Sequence, residues 1–188
     1  LELVNLYTIF HLLGVAFGVG GALISDSMFL KSLKDLKISK TEMGFLQMGS
    51  AMVWLGLIIL IISGSLLFSL DSDRYLNSDK FLAKMTIVAI ILLNGLFLHV
   101  SLIPRLRRHV EGYLPSSDEF MRKRPLLFTS GAVSLVSWLS ALVLGALHKV
   151  PWSYGEIMGV YLLALLAAGL IANILGRRLL PGHEGRIQ

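Results

Sequence analysis

Four ionisable residues stand inside otherwise apolar stretches of this chain, and their spacing is the first chemical signal. His11 and Asp26 are fifteen residues apart, and so are Lys84 and His99. Fifteen residues of α-helix rise about 22 Å, so each pair sets one polar group near either end of an apolar segment. An ionisable group in hydrocarbon costs at least a few kcal/mol and marks a ligand, a proton path or a buried pair. His11 shares a helical face with Gly14, Gly18, Gly21, Ala22 and Ser25, and Asp26 lies at its edge. The string HLLGVAFGVGGALISD is thus a groove of small residues with a histidine at one end and a carboxylate at the other. Gly14 and Gly18 are also a small-xxx-small pair of the kind that brings two helices close. Lys84, Val88, Ile91, Gly95 and His99 fall within one quadrant of a second helix.

Other side chains extend this inventory. Ser130, Ser134, Ser137, Ala141 and Gly145 form a face that ends at His148, and Gln47, Ser50, Ala51, Trp54 and Ser65 form another. Trp54 and Trp138 fall mid-segment, away from the interfacial positions where tryptophan is common. There a Trp needs a partner for its N–H or a flat neighbour. Met48 and Met52 are the single MxxxM pair, more readily packing than a metal relay. Glu156 is placed to cap a helix start, and His109 and His183 lie in basic segments where solvation is expected. No Walker loop, HExxH, nucleophile elbow or dinucleotide fingerprint occurs; GVGG at Gly18–Gly21 lies inside an apolar run.

The elements that position these residues follow from composition. Of 188 residues, 55% are apolar and only 15% charged, against about 25% in a typical soluble chain. The mean hydropathy of +0.73 is explained by five apolar runs, at about 4–29, 45–70, 81–103, 126–147 and 157–175. Each approaches the roughly 20 residues that a spanning helix needs. The expected fold is an all-α, five-helix transmembrane bundle forming one domain over 1–188. Pro104, Pro125 and Pro151 are expected at helix boundaries, where a missing N–H does least harm. The chain begins at Leu1, which reads as a trimmed or processed start or a fragment, and its first run is read as a retained helix rather than a signal peptide. With no cysteine, disulfides, iron–sulfur clusters, thiolate zinc sites and c-type haem attachment are excluded.

The net charge of +5 falls in short loops, which argues for membrane topology and against nucleic-acid binding. Thirteen Lys and Arg residues lie on one side (in the 31–44 and 104–125 loops and the tail from 176), and four lie on the other. The positive-inside rule makes the rich side cytoplasmic, with the amino terminus outside and the carboxyl terminus inside, in a cell (inner) membrane. Tyr75, Trp152 and Tyr154 then serve as outer anchors. Helices one and three cross in the same direction. His11 and Lys84 therefore share the outer level with His148, while Asp26 and His99 share the inner level and are expected to pair.

The histidine followed by glycines (HLLGVAFGVGG) and the stretch FLAKMTIVAIILLNGLFLHVSLIPRL, which a lysine opens and a histidine closes, resemble the superfamily of small bacterial membrane proteins that includes HemJ-type protoporphyrinogen oxidases and CopD-type copper-resistance proteins. The similarity covers helices one to three. In HemJ-type proteins a first-helix histidine and a third-helix lysine are implicated with b-type haem, and the resemblance implies His11 and Lys84 as the corresponding ligands. The first expectation is therefore a redox or electron-transfer protein that holds haem b within its bundle. His11 would be one axial ligand of the iron, Lys84 or His148 the other, and Gly14 and Gly18 would clear the face. A second reading is a metal-ion transporter of the CopD kind, with His11, Asp26, His99 and Gln47 as stations of a path. A third is an accessory subunit whose polar residues fix helix register. The expected partners are the lipid bilayer and either a redox protein or further copies of the chain.

The topology is open to direct test. Reporter fusions in 104–125 should read cytoplasmic and fusions in 71–80 external; both on one side would refute the five-span reading.

Overall fold

A computed structural model describes residues 2–114, 117–148 and 150–180. His183 and Arg186 lie outside them. The described chain is helical: α1 (Glu2–Ser32), α2 (Lys40–Leu70), a short α3 (Ser72–Leu76), α4 (Asp79–Phe97), a π-helical turn (Leu98–Leu102), α5 (Ile103–Arg108), α6 (Asp118–Ala146) and α7 (Tyr154–Leu179). Since α4, the π turn and α5 are continuous, five helices are long and apolar enough to cross a membrane. Their outward faces carry large exposed apolar side chains, such as Leu163, Leu166, Leu170 and Ile171 on α7.

Serine caps set the helix starts. Ser39 and Ser153 head capping boxes with Glu42 and Glu156, and Ser78 and Ser117 accept from Phe81 N and Phe120 N. Each cap contributes about 1 kcal/mol by satisfying an orphan N–H. Every span begins or ends beyond its apolar core, because cap chemistry rather than hydropathy decides where a helix starts. Pro125 corrects the expectation of a boundary there: it lies inside α6, whose cap and acidic first turn precede it. Pro104 likewise stands within a continuous helix. It has no N–H for the carbonyl of Val100 and its ring would crowd that carbonyl, and the widened π turn just before it relieves both faults. Pro151 does precede a helix start.

The tightest packing is between α1 and α2. A Cβ on Gly56 would lie 2.5 Å from Gly18 N and 2.7 Å from Gly14 O, and one on Gly21 would lie 2.6 Å from Gly49 O. These are backbone atoms that cannot swing away, so the two helices meet where only glycine fits. Met52 packs against Gly21 in this seam, and Met48 is exposed, so the methionine pair makes no joint site. α6 is the hub of the rest, touching α1, α4 and α7. Asn94 Nδ2 donates to Ser130 O (3.0 Å) and Ser130 Oγ to Asn94 Oδ1 (2.7 Å), joining α4 to α6. The Ser137–Tyr161 hydroxyl pair (2.7 Å) and the bond from Asn173 to Thr129 (2.8 Å) join α6 to α7.

At the basic end, the loops after α1 and α5 are tied by Glu111 N to Ile38 O (2.8 Å) and Leu114 N to Leu36 O (2.9 Å). Beneath them Leu33, Ile38, Leu46, Leu102, Leu106 and Leu114 form a dry plug. His109 is not merely solvated. Its Nδ1–H donates to Arg105 O and its Nε2 meets Ser117 Oγ, each at 2.8 Å, which staples α5 to the cap of α6.

Gly56→Val should lower stability by about 1–3 kcal/mol, the usual cost of overpacking, with a matching fall in thermal midpoint. Gly44→Ala and Gly145→Ala, with open space around both positions, should leave the midpoint near that of the parent.

Candidate functional site

The spans enclose a cavity of about 110 Å³ in the half of the bundle nearer the basic end. Four helical segments line it: Ala22, Ser25, Asp26 and Phe29 from α1; Leu46, Ser50, Val53 and Trp54 from α2; Ile91 to Leu106 at intervals from α4 through α5; and Leu127, Gly131, Ser134 and Trp138 from α6. α1 and α4 face each other across this space. The α1–α2 glycine seam draws α1 toward α2, and α4 is held by α6 and α7. The cavity is the gap that remains.

Asp26 is the chemical feature of this cavity. Its Oδ2 is buried and makes no hydrogen bond, and no ion pair of Asp26 exists among the described residues. No Lys or Arg lines the cavity. A buried carboxylate without hydrogen bond or counter-charge is expensive, because desolvation costs several kcal/mol per ion. Such a group either keeps its own proton or waits for a cation. Around it stand the hydroxyls of Ser25, Ser50 and Ser134 and the indoles of Trp54 and Trp138.

The expected Asp26–His99 pair is not formed. His99 sits in the π turn, its Nδ1 lies 3.3 Å from Ser50 Oγ, and its ring meets Trp54 edge-on at 5.9 Å. Helix packing explains the divergence: α1 packs against α2 and α6 rather than α4, the cavity lies between α1 and α4, and His99 meets α2 instead. His99 still reaches the site at one remove, through two residues of the cavity wall.

At the opposite end, His11 and Lys84 come within electrostatic range of each other, as their shared level requires. The small-residue face beside His11 is filled by protein. His11 Nδ1 meets Ser63 Oγ at 3.0 Å, and Ser63 Oγ in turn donates to Ile59 O (2.6 Å). His11 therefore donates to Ser63 through an Nδ1–H. A Cβ on Gly14 would touch Leu60, Ile59 and the Gly56 carbonyl, and one on Gly18 would enter the ring of Trp138. The flat neighbour of Gly18 is thus an indole. His148 is exposed and lines a separate open cleft with Lys80, Trp152 and Glu156. Haem b does not fit this arrangement: the glycine face holds no slot for a macrocycle, and the cavity at Asp26, about 110 Å³, is far too small for one. Nor do three His, Asp or Glu side chains converge as a metal site among the described residues.

Gln47 lies outside the cavity wall, and its amide oxygen faces Arg107 Nε (3.0 Å) and Nη2 (2.6 Å). Three contributors escaped the reading of the sequence. Asn94 and Asn173 are interhelical fasteners, and the signal for both was a lone amide in an apolar run. Gly131 faces Asp26, a Cβ there standing 3.7 Å from Oδ1; its one sequence signal was a place on α6 beside the serine face.

Asp26→Leu removes an unpaired buried carboxyl, so it should raise stability by about 1–3 kcal/mol, read as a higher thermal midpoint. His99→Leu, combined with it, should add independently. A fall in midpoint for Asp26→Leu would mean that Asp26 is a partnered structural residue.

Compared with known proteins, the chain matches no family model, no curated protein and no solved structure. The cavity and its carboxylate therefore carry the functional assignment.

Proposed function

We propose that this chain is a five-span membrane protein, with its amino terminus outside and its basic end in the cytoplasm, that binds a monovalent cation in its central cavity as a transporter does. The observation that carries this reading is the orphaned Oδ2 of Asp26, buried beside hydroxyls and indoles with no basic residue nearby. An intramembrane carboxylate of this kind marks a substrate or proton path. Serine hydroxyls offer oxygen lone pairs, and Trp faces attract a cation through the ring quadrupole by about 0.5–2 kcal/mol. One carboxylate without further anionic ligands suits a single positive charge better than a divalent or thiophilic metal. This separates the reading from copper handling.

The exchange at the site is simple. Empty, the carboxyl holds its proton; a cation entering takes the place of that proton, which leaves to water. Net charge in the cavity stays constant, and the desolvation cost of a bare carboxylate is not met. The exposed apolar outer faces of the helices and the confinement of most Lys and Arg to one end support the membrane setting and its orientation.

Trp54 and Trp138 line the cavity, and the third tryptophan, Trp152, is exposed at the opposite end. In a Trp152→Phe background, tetramethylammonium titrated into protein in phosphatidylglycerol nanodiscs should change the fluorescence saturably. In weak buffer it should release about one proton per cation bound. Asp26→Asn should weaken binding at least tenfold and abolish the release, whereas His11→Ala should do neither. Equal binding by Asp26→Asn would overturn the reading.

A further inference from the structure

Asp26 and Gly131 belong to two spaces at once. Besides the central cavity they line a groove of about 300 Å³ on the outer face of the bundle, between α1, α6 and α7. Its walls are Leu30, Phe128, Leu135, Ala168, Ile171 and Leu175, and no charged residue other than Asp26 borders it. Phe29 and Leu127 also face both spaces. Gly131 stands where the two spaces adjoin: a Cβ there would be in ordinary van der Waals contact with Asp26 Oδ1, at 3.7 Å. Ile171 is among the most exposed large apolar side chains of the molecule, so the groove faces whatever surrounds the helices.

From this geometry we infer the substrate class: a single-tailed amphipathic cation that enters sideways from the bilayer, its ammonium head in the central cavity beside Asp26 and its alkyl tail along the groove between α1, α6 and α7. The inference rests on the cation reading of Asp26 and deepens it. Size separates the two parts of the ligand, since about 110 Å³ holds a compact head and about 300 Å³ holds a chain. Charge complementarity fixes which end goes where, because the carboxylate lies at the junction and the groove beyond it is apolar. Trp54 and Trp138 on the cavity side offer the aromatic walls that suit a quaternary ammonium. Lateral entry also avoids the leucine plug that closes the basic end. Partition into the leaflet concentrates an amphiphile at the mouth of the groove, so the hydrocarbon supplies the tail already desolvated.

The test compares three probes in the same Trp152→Phe nanodiscs: tetramethylammonium, octyltrimethylammonium and octanol. Two variants obstruct the groove, Ala168→Phe from its wall and Ile171→Phe from its exposed rim, where the fold is not disturbed. Both should weaken octyltrimethylammonium at least tenfold and change tetramethylammonium less than twofold; membrane partition is common to all variants and cancels. Octanol should leave the cavity fluorescence unmoved. If both obstructed variants bind the octyl probe as the parent does, the tail lies elsewhere and lateral entry is wrong. If octanol produces the same saturable change as the octyl cation, the groove is an alkyl-chain site with no selection for charge, which also overturns the inference. Tetramethylammonium binding that depends on Asp26 without any groove effect would leave the cation site standing and remove only the lateral route. Loss of Asp26 dependence for both cations would remove both.

Discussion

The close approach of α1 and α2 is the constraint on which the remaining architecture depends. Gly14, Gly18 and Gly21 meet Gly49 and Gly56 with backbone against backbone, so this pair has almost no freedom to slide or rotate. In a bilayer, where lipid tails are as apolar as leucine, such packing is a principal source of helix association. Once α1 is committed to α2, its other flank can reach α6 but not α4. The cavity is the geometric remainder of that choice, and Asp26, five residues beyond the last seam glycine on α1, is delivered to its edge.

Against this background the polar groups of the spans sort themselves. Asn94 with Ser130, Ser137 with Tyr161, Asn173 with Thr129, His11 with Ser63 and His99 with Ser50 each satisfy one another across two helices. Hydrogen bonds of this kind contribute modestly to membrane-helix association, often below 1 kcal/mol each, but leaving such a group unpaired costs more than making the bond gains. Among the described residues the buried side-chain atom without a hydrogen bond is Asp26 Oδ2. An exception so placed, in a cavity wall and at the mouth of a lateral groove, is where a ligand belongs.

The π turn at Leu98–Leu102 shows how one residue propagates into the site. Pro104 removes a donor and crowds the preceding turn, the helix widens, and the extra residue shifts the register of Leu102, Ile103 and Leu106, which line the cavity. A proline that reads as a loop marker therefore acts instead as a determinant of the cavity wall. The same logic applies to Trp138, whose indole covers Gly18 and forms part of the roof over Asp26. Packing and site are here one set of contacts.

The sequence by itself determined the five apolar helices, the place of Glu156 at a helix start, the basic bias of one end, and the common level of His11 and Lys84. Those are local properties: hydropathy, cap chemistry and a fixed rise per residue suffice for them. It also singled out Asp26 as a residue needing explanation. Only the tertiary structure decided that Gly14 and Gly18 pack against α2 and Trp138, that His99 pairs with Ser50 and leaves Asp26 Oδ2 without a hydrogen bond, and that Gly131 lies beside Asp26. A helical repeat states which residues share a face. Which neighbour that face meets, and at what rotation, depends on the simultaneous packing of all five helices, and a single π turn is enough to change the answer.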